Sequence, residues 1–242
     1  MRLHRIFIEQ NLRPGQNLTL AGEEAHYLSR VLRAVVGQPV VLFNGDGFDY
    51  TAEICAFKRD AVVFSVKTSL SATTESPLDI TLVQAISRGE RMDLSLQKAT
   101  ELGVTAVQPV FSARTEVRLR PEKLDRRMAH WRKVIIAACE QCGRARLPLL
   151  HEPLDMLLWM QRESGRRRFV LVPGAAASLA SVSAGAQMDI VVGPEGGFDE
   201  AEIAALQRHS VQPVSLGPRI LRTESAGPAA LAVLQALAGD LK

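Results

Sequence analysis

The chain has 242 residues, 47% of them apolar, enough for one large or two small domains with a sizeable core. Its net charge of +3 says little by itself, and three cysteines are too few for a disulfide framework, so a reducing, cytoplasmic setting is the expectation. The longest nearly apolar stretch, residues 226–238, is interrupted by Gln235 and too short to span a bilayer; Met1-Arg2-Leu3-His4-Arg5 leads into a strand-like run and not a signal-peptide core.

Residues 1–68 read as a small β-rich domain. Strands are expected at 6–8, 38–43, 49–56 and 61–66, with Asn44-Gly45-Asp46-Gly47 supplying the positive-φ residues of a hairpin turn. One helix, 22–33, interrupts them and sets Ala25, Leu28, Val31 and Leu32 on one face. Residues 69–77 are rich in serine and threonine, end in proline and lack an apolar period, which marks a linker.

From Leu78 strands and helices alternate. A buried-strand pattern at 79–86 is followed by a helix at 90–102 closed by Gly103, and by a strand at 104–110. Pro121 opens a long helix, where its missing N–H costs nothing; Leu124, Met128, Trp131, Ile135, Ala138 and Cys142 form its buried stripe. Further strands fit 168–172, 189–192 and 213–216. Asp199 and Glu202 have the spacing of a capping box, and a last helix runs to about residue 237. This alternation predicts an α/β domain with a mostly parallel sheet covered on both faces.

Charge is concentrated in residues 114–146, with ten basic side chains against four acidic, the footprint of a polyanionic partner or of a solvated helix face. Cys139 and Cys142 form C-x-x-C inside the long helix and read as ordinary buried thiols, since reactive thiolates favour helix N-termini. Glu140, Gln141 and Arg144 read either as a solvated face or as an RNA or dimer contact. Arg166-Arg167-Arg168 reads as a loop of solvated charge or a nucleic-acid contact. Neither G-x-G-x-x-G nor G-x-x-x-x-G-K-[ST] occurs where the dinucleotide-binding fold or the P-loop needs it. Five scattered histidines give no ligand spacing, so no metal is expected.

Two loops carry most of the chemistry. Gly193-Pro194-Glu195-Gly196-Gly197-Phe198 and Leu216-Gly217-Pro218-Arg219-Ile220-Leu221-Arg222-Thr223-Glu224-Ser225-Ala226 each follow a strand and lead into a helix. At the ends of neighbouring strands, two such loops expose backbone donors and acceptors free of side chains, as a flat polar ligand requires. The second loop adds the charges of Arg219, Arg222 and Glu224.

These residues, with His26-Tyr27-Leu28, Val31-Leu32-Arg33, the 44–47 turn, Lys98-Ala99-Thr100-Glu101-Leu102-Gly103-Val104 and Glu140-Gln141-Cys142-Gly143-Arg144, resemble in order the motifs of the RsmE family. These are the ribosomal RNA uridine-N3 methyltransferases of the SPOUT, or trefoil-knot, superfamily. The departures are Ser225, where the family more often has threonine, and His4, where it more often has proline.

The resemblance implies a PUA-like, RNA-binding β-barrel at residues 1–70 and a SPOUT α/β methyltransferase domain with a C-terminal trefoil knot at 77–242. It also implies S-adenosylmethionine as cofactor, 16S ribosomal RNA of the small subunit as partner, and a homodimer. On it, Val172, Pro173, Gly174, Gly193, Pro194, Glu195, Gly196, Gly197, Leu216, Gly217, Ile220, Leu221, Thr223 and Ala226 are expected to hold the cofactor. Arg222 and Glu224 are expected at the chemistry; Arg114, Arg118, Arg144 and Arg219 are expected at the RNA. Two alternatives stay open: methylation of another RNA nucleotide, and a non-catalytic RNA-binding assembly factor.

Overall fold

The computed structural model describes residues 3–115, 121–182 and 185–241. The chain folds as two units, residues 1–75 with 139–147 and residues 76–138 with 148–242.

The first unit is a mixed five-stranded sheet in the order β1-β3-β4-β5-β2, built from β1 (His4–Phe7), β2 (Asn17–Ala21), β3 (Pro39–Phe43), β4 (Phe48–Lys58) and β5 (Ala61–Ser71). β1 lies parallel to β3 and the remaining pairs are antiparallel. The edges β1 and β2 are not hydrogen-bonded to one another, so the expected barrel is an open sheet in its ladder. Alternation along β4 and β5 turns Tyr50, Ala52, Ile54, Val62, Phe64 and Val66 inward, where they meet Ile6, Leu18, Leu28 and Leu42.

Three expectations here need correction. The helix 22–33 is a single turn, α1 (Glu23–His26), that widens into a π-turn over Tyr27–Val31, with the Leu32 N–H reaching back to the Tyr27 carbonyl at 3.0 Å. That extra residue per turn rotates Val31 into solvent, while Ala25 and Leu28 stay buried. The linker is shorter than its composition suggests, because β5 runs on to Ser71 by pairing with Phe48–Tyr50 on β4.

Arg144 is the third. It does not face outward: its side chain is 4% exposed, with Nη2 donating to Glu75 at 2.8 Å and Nε at 3.1 Å. Glu75 also accepts from the Arg146 N–H at 3.1 Å, and the Arg144 carbonyl accepts from Arg5 at 3.0 Å. Nearby, Glu140 accepts from the Phe7 N–H at 3.0 Å, and burial raises its carboxyl pKa despite that bond. The Glu140–Arg144 motif is thus an internal anchor. Its neighbour Cys139 is a buried thiol whose pKa is pushed up to about 12, chiefly by desolvation.

The second unit holds a seven-stranded sheet in the order β12-β10-β11-β6-β7-β8, with β9 also pairing β7; every pairing is parallel. The strands are β6 (Asp79–Ala85), β7 (Ala106–Phe111), β8 (Leu149–Leu150), β9 (Leu154–Asp155), β10 (Arg167–Leu171), β11 (Gln187–Val192) and β12 (Val211–Val214). The helices are α2 (Glu90–Glu101), α3 (Pro121–Cys142), α4 (Met156–Met160), α5 (Glu200–Arg208) and α6 (Thr223–Ala238). Both faces of the central strands are buried, so Ile80, Leu82, Val83, Ala85, Met188, Ile190 and Val191 form nearly continuous apolar runs. The capping box at Asp199 and Glu202 starts α5 as its spacing predicts. On α3, Trp131, Ile135 and Ala138 are buried, whereas Leu124, Met128 and Cys142 are only half-buried.

The arginine triplet is not a solvated loop. Arg166 donates to Asp79 and Asp189, each at 2.6 Å, and Arg168 donates to Asp189 at 3.3 Å while stacking 4.7 Å over Trp159. Two of its three charges are therefore spent inside the unit, at the end of the sheet where these strands begin.

Candidate cofactor cleft and active site

In a parallel sheet all carboxyl ends lie along one edge, and ligands gather there. β10, β11 and β12 end together and release the segments 172–174, 193–198 and 215–222. The two glycine loops do not leave adjacent strands, as the sequence suggests: β10 stands between β11 and β12 and contributes a third wall.

These segments enclose a cavity of about 680 Å³, within the range of ligand sites. Its walls include Val172 and Pro173 after β10; Gly193, Pro194, Glu195, Gly196 and Gly197 after β11; and Leu216, Gly217, Ile220 and Leu221 after β12, with Thr223 and Ala226 from α6. Gly174, the next residue after Pro173, is not part of the wall. Arg91, Arg219, Arg222 and Glu224 supply its charged side chains together with Glu195.

The first loop is tied back at several points. Gly193 gives its carbonyl to the Thr223 hydroxyl at 2.7 Å, and Gly196 gives its carbonyl to Arg114 at 2.9 Å. Glu195 accepts from Arg91 at 2.8 Å and from the Arg88 N–H at 3.1 Å. Burial raises the Glu195 pKa, but hydrogen bonds from its own backbone, from Arg88 and from Arg91 outweigh it and hold the carboxyl below its ordinary range. Glu195 is thus an anchored anion.

The second loop is the opposite. The main chain of Leu216, Gly217, Ile220 and Leu221 makes no hydrogen bond among the described residues, and the Ile220 side chain is 83% exposed. Main-chain donors and acceptors with no partner in the protein, beside an apolar wall, are what an aromatic base with polar edges needs. Gly197 at φ +64° and Gly217 at φ +87° hold conformations that L side chains rarely adopt; a Cβ on either would meet nothing within 4 Å of protein. Glycine at these two wall positions therefore leaves open the space that a side chain would enter.

Arg222 caps α6 with extended backbone at ψ 154°, and Glu224 stands in that helix's first turn, where its charge suits the helix dipole. Neither Arg222, Glu224 nor Arg219 pairs with any described residue. Arg222 and Glu224 are therefore not a structural ion pair. Arg114 is exposed beyond its contact with Gly196, and Arg118 lies outside the described residues.

Sequence reasoning missed Arg91. It stands in the first turn of α2, which follows β6 at the same sheet edge after a short connection with a single glycine, Gly89, and no glycine-and-proline loop. Among the described residues no cluster of His, Cys, Asp or Glu is arranged to hold a metal ion, and no helix is long and apolar enough to cross a membrane.

Comparison with known proteins places this architecture. Residues 74–235 match the RNA methyltransferase domain, and residues 20–67 match the RNA methyltransferase PUA domain, so the mixed sheet of the first unit is PUA-like. The ribosomal RNA small subunit methyltransferase E of Buchnera aphidicola subsp. Schizaphis graminum is 32% identical, covering 99% of this chain and 98% of that protein. The Bacillus subtilis protein of the same name is 29% identical over 96% of both chains. A Legionella pneumophila structure with the bound cofactor SAM superposes with a TM-score of 0.96 at 39% identity, covering 100% of both chains. The Neisseria gonorrhoeae ribosomal RNA small subunit methyltransferase E, bound to S-adenosyl methionine, has a TM-score of 0.92 at 36% identity over 100% of both chains. With matching domains in both parts and relatives aligned from end to end, the chain belongs to the ribosomal RNA small subunit methyltransferase E (RsmE) family.

Proposed function

We propose that this protein transfers a methyl group from S-adenosylmethionine to N3 of a uridine in 16S ribosomal RNA. The observation that carries the reading is the cavity itself: glycine-rich walls with unspent main-chain groups, beside the unpaired side chains of Arg222 and Glu224. When bound, the cofactor supplies an electrophilic methyl on a positively charged sulfur.

The chain's part in an in-line displacement is alignment. Val172, Pro173, the 193–197 loop and Leu216, Gly217, Ile220 and Leu221 grip the adenosine by backbone and apolar contacts, with Ala226 closing the wall. Uracil N3 carries a proton and is a poor nucleophile until that proton leaves. Arg222 stabilises the anion as it develops over O2 and O4, and Glu224 accepts the proton. Arg219 and Arg114 meet RNA phosphates at the cavity mouth. Watson–Crick pairing hides N3, so the target nucleotide is unpaired or flipped out.

The PUA-like unit holds the surrounding RNA, and phosphate-dominated binding then weakens steeply with added salt. On family grounds the C-terminal part of the second unit is knotted and the protein is a homodimer. The passage of the chain from β11 across β10 to β12 supports the first, and sedimentation at twice 26.4 kDa would establish the second.

Arg222→Ala tests the assignment. S-adenosylmethionine binding by calorimetry should stay within a few fold, while methyl incorporation into 16S RNA, mapped by mass spectrometry, collapses. Near wild-type turnover would remove Arg222 from the chemistry.

A further inference from the structure

β6 is buried from Leu82 to Ala85 and apolar there except at Gln84, which is 0% exposed. A buried amide is costly unless its hydrogen bonds are made, so its partners show what it is for. The Gln84 amide nitrogen donates to the Ala85 carbonyl at 3.0 Å and to Thr223 Oγ1 at 2.9 Å. Because a carbonyl can only accept, the Ala85 contact identifies which end of the amide is nitrogen.

The rest of the chain of bonds follows. Thr223 Oγ1 accepts from Gln84, so its single proton is directed to the Gly193 carbonyl at 2.7 Å. The Gln84 oxygen accepts in turn from the Ser95 hydroxyl at 3.3 Å. α6 lies close over this strand: a Cβ at Gly227 would come within 3.1 Å of Leu82 and 3.6 Å of the Gln84 oxygen, which leaves the amide little room to swing.

One buried amide on β6 therefore orders the peptide after β11 and the start of α6 together, and these flank the cavity from opposite strands. We infer that Gln84 is a positioning residue for the cofactor site, acting through Thr223 to hold the two glycine loops at a set separation. This rests on the reading that the cavity takes S-adenosylmethionine. It also gives the Thr223 hydroxyl a second role: its proton is committed within the protein, so it ties the loops together from its place in the cavity wall.

The test uses the full chain with Gln84→Met, which keeps the length without the donor, and Thr223→Val, which keeps the shape without the hydroxyl. Each should raise the S-adenosylmethionine dissociation constant about tenfold to a hundredfold, the scale of an unmade buried hydrogen bond. The double variant should lose no more than the worse single variant, because both break one link. RNA affinity should stay within about twofold, and Thr223→Ser should recover most of the loss.

A general packing defect would instead lower the melting temperature and the active fraction while leaving cofactor affinity intact, and that result overturns the proposal. So do losses that multiply in the double variant. Should Gln84→Met fail to fold, Thr223→Val and Thr223→Ser read the same link. Wild-type protein that binds no S-adenosylmethionine overturns the cofactor reading and the positioning role with it; wild type and both variants binding equally overturns the positioning role alone.

Discussion

Replacing Gly217 by alanine separates backbone strain from loss of the cofactor wall. Gly217 sits at φ +87°, where an L residue costs about 1–2 kcal/mol. Its new Cβ meets no protein atom within 4 Å, so no clash adds to that strain. The stability loss should stop near that figure, roughly 2–4 °C in melting temperature per kcal/mol for a chain of this size. Free and liganded protein carry the same strain, so it cancels from binding. What does not cancel is a methyl group in the cavity wall. Overpacking by a methyl costs about 1–3 kcal/mol, which weakens S-adenosylmethionine about fivefold to a hundredfold. Gly15→Ala is the control: Gly15 has φ +85°, equally open surroundings, and a place in the first unit. Melting curves of the two variants should fall together while calorimetry with S-adenosylmethionine distinguishes them. If Gly217→Ala binds the cofactor as wild type does, the backbone at this loop is not its wall.

Other perturbations address the frame. Asp189→Ala removes the carboxylate shared by Arg166 and Arg168 and leaves the buried Arg168 without its anion, at a cost of about 3–5 kcal/mol in chemical denaturation; a loss below about 1 kcal/mol would return the triplet to the status of surface charge. The Arg166 hydrogen bond, opposed by burial and assisted by Thr105, lowers the Asp79 pKa. A lowered carboxylate contributes stability that is present above its unfolded value of about 4 and is lost as pH falls through the folded value. The melting-temperature gap between wild type and Asp79→Asn should therefore close on acidification below about pH 4, and a constant gap would rule out the ionised form as its source. Alkylation of native protein at neutral pH should mark the exposed Cys55 first and Cys139 last, since a thiol with a pKa of about 12 presents almost no thiolate; rapid labelling of Cys139, read by peptide mass, would contradict its burial.

Much of the architecture was legible in the chain because its signals are local. Apolar runs bounded by turn residues set β6, β7, β10 and β11, a capping box set the start of α5, and proline set the start of α3. The glycine loops stood out because few backbones outside a binding site need so many residues without side chains. Where the reading failed, a distant partner had decided. Ser69–Ser71 read as linker but are strand, since β4 offers them a ladder. Val31 reads as core from a period of 3.6, and the π-turn moves it.

Charge was the least legible feature. Arg144, Arg166 and Arg168 look alike in sequence to Arg219 and Arg222, yet the first three are consumed by Glu75, Asp79 and Asp189, and the last two, beside the cavity, have no partner among the described residues. No spacing rule finds an anion about 70 residues away, and only folding puts it there. The sequence alone determined which loops would line the cavity, because glycine and proline act on the backbone that carries them. Tertiary structure alone decided that β10 stands between those loops, that Gln84 ties them, and which arginines remain free to act, because each depends on which strands become neighbours.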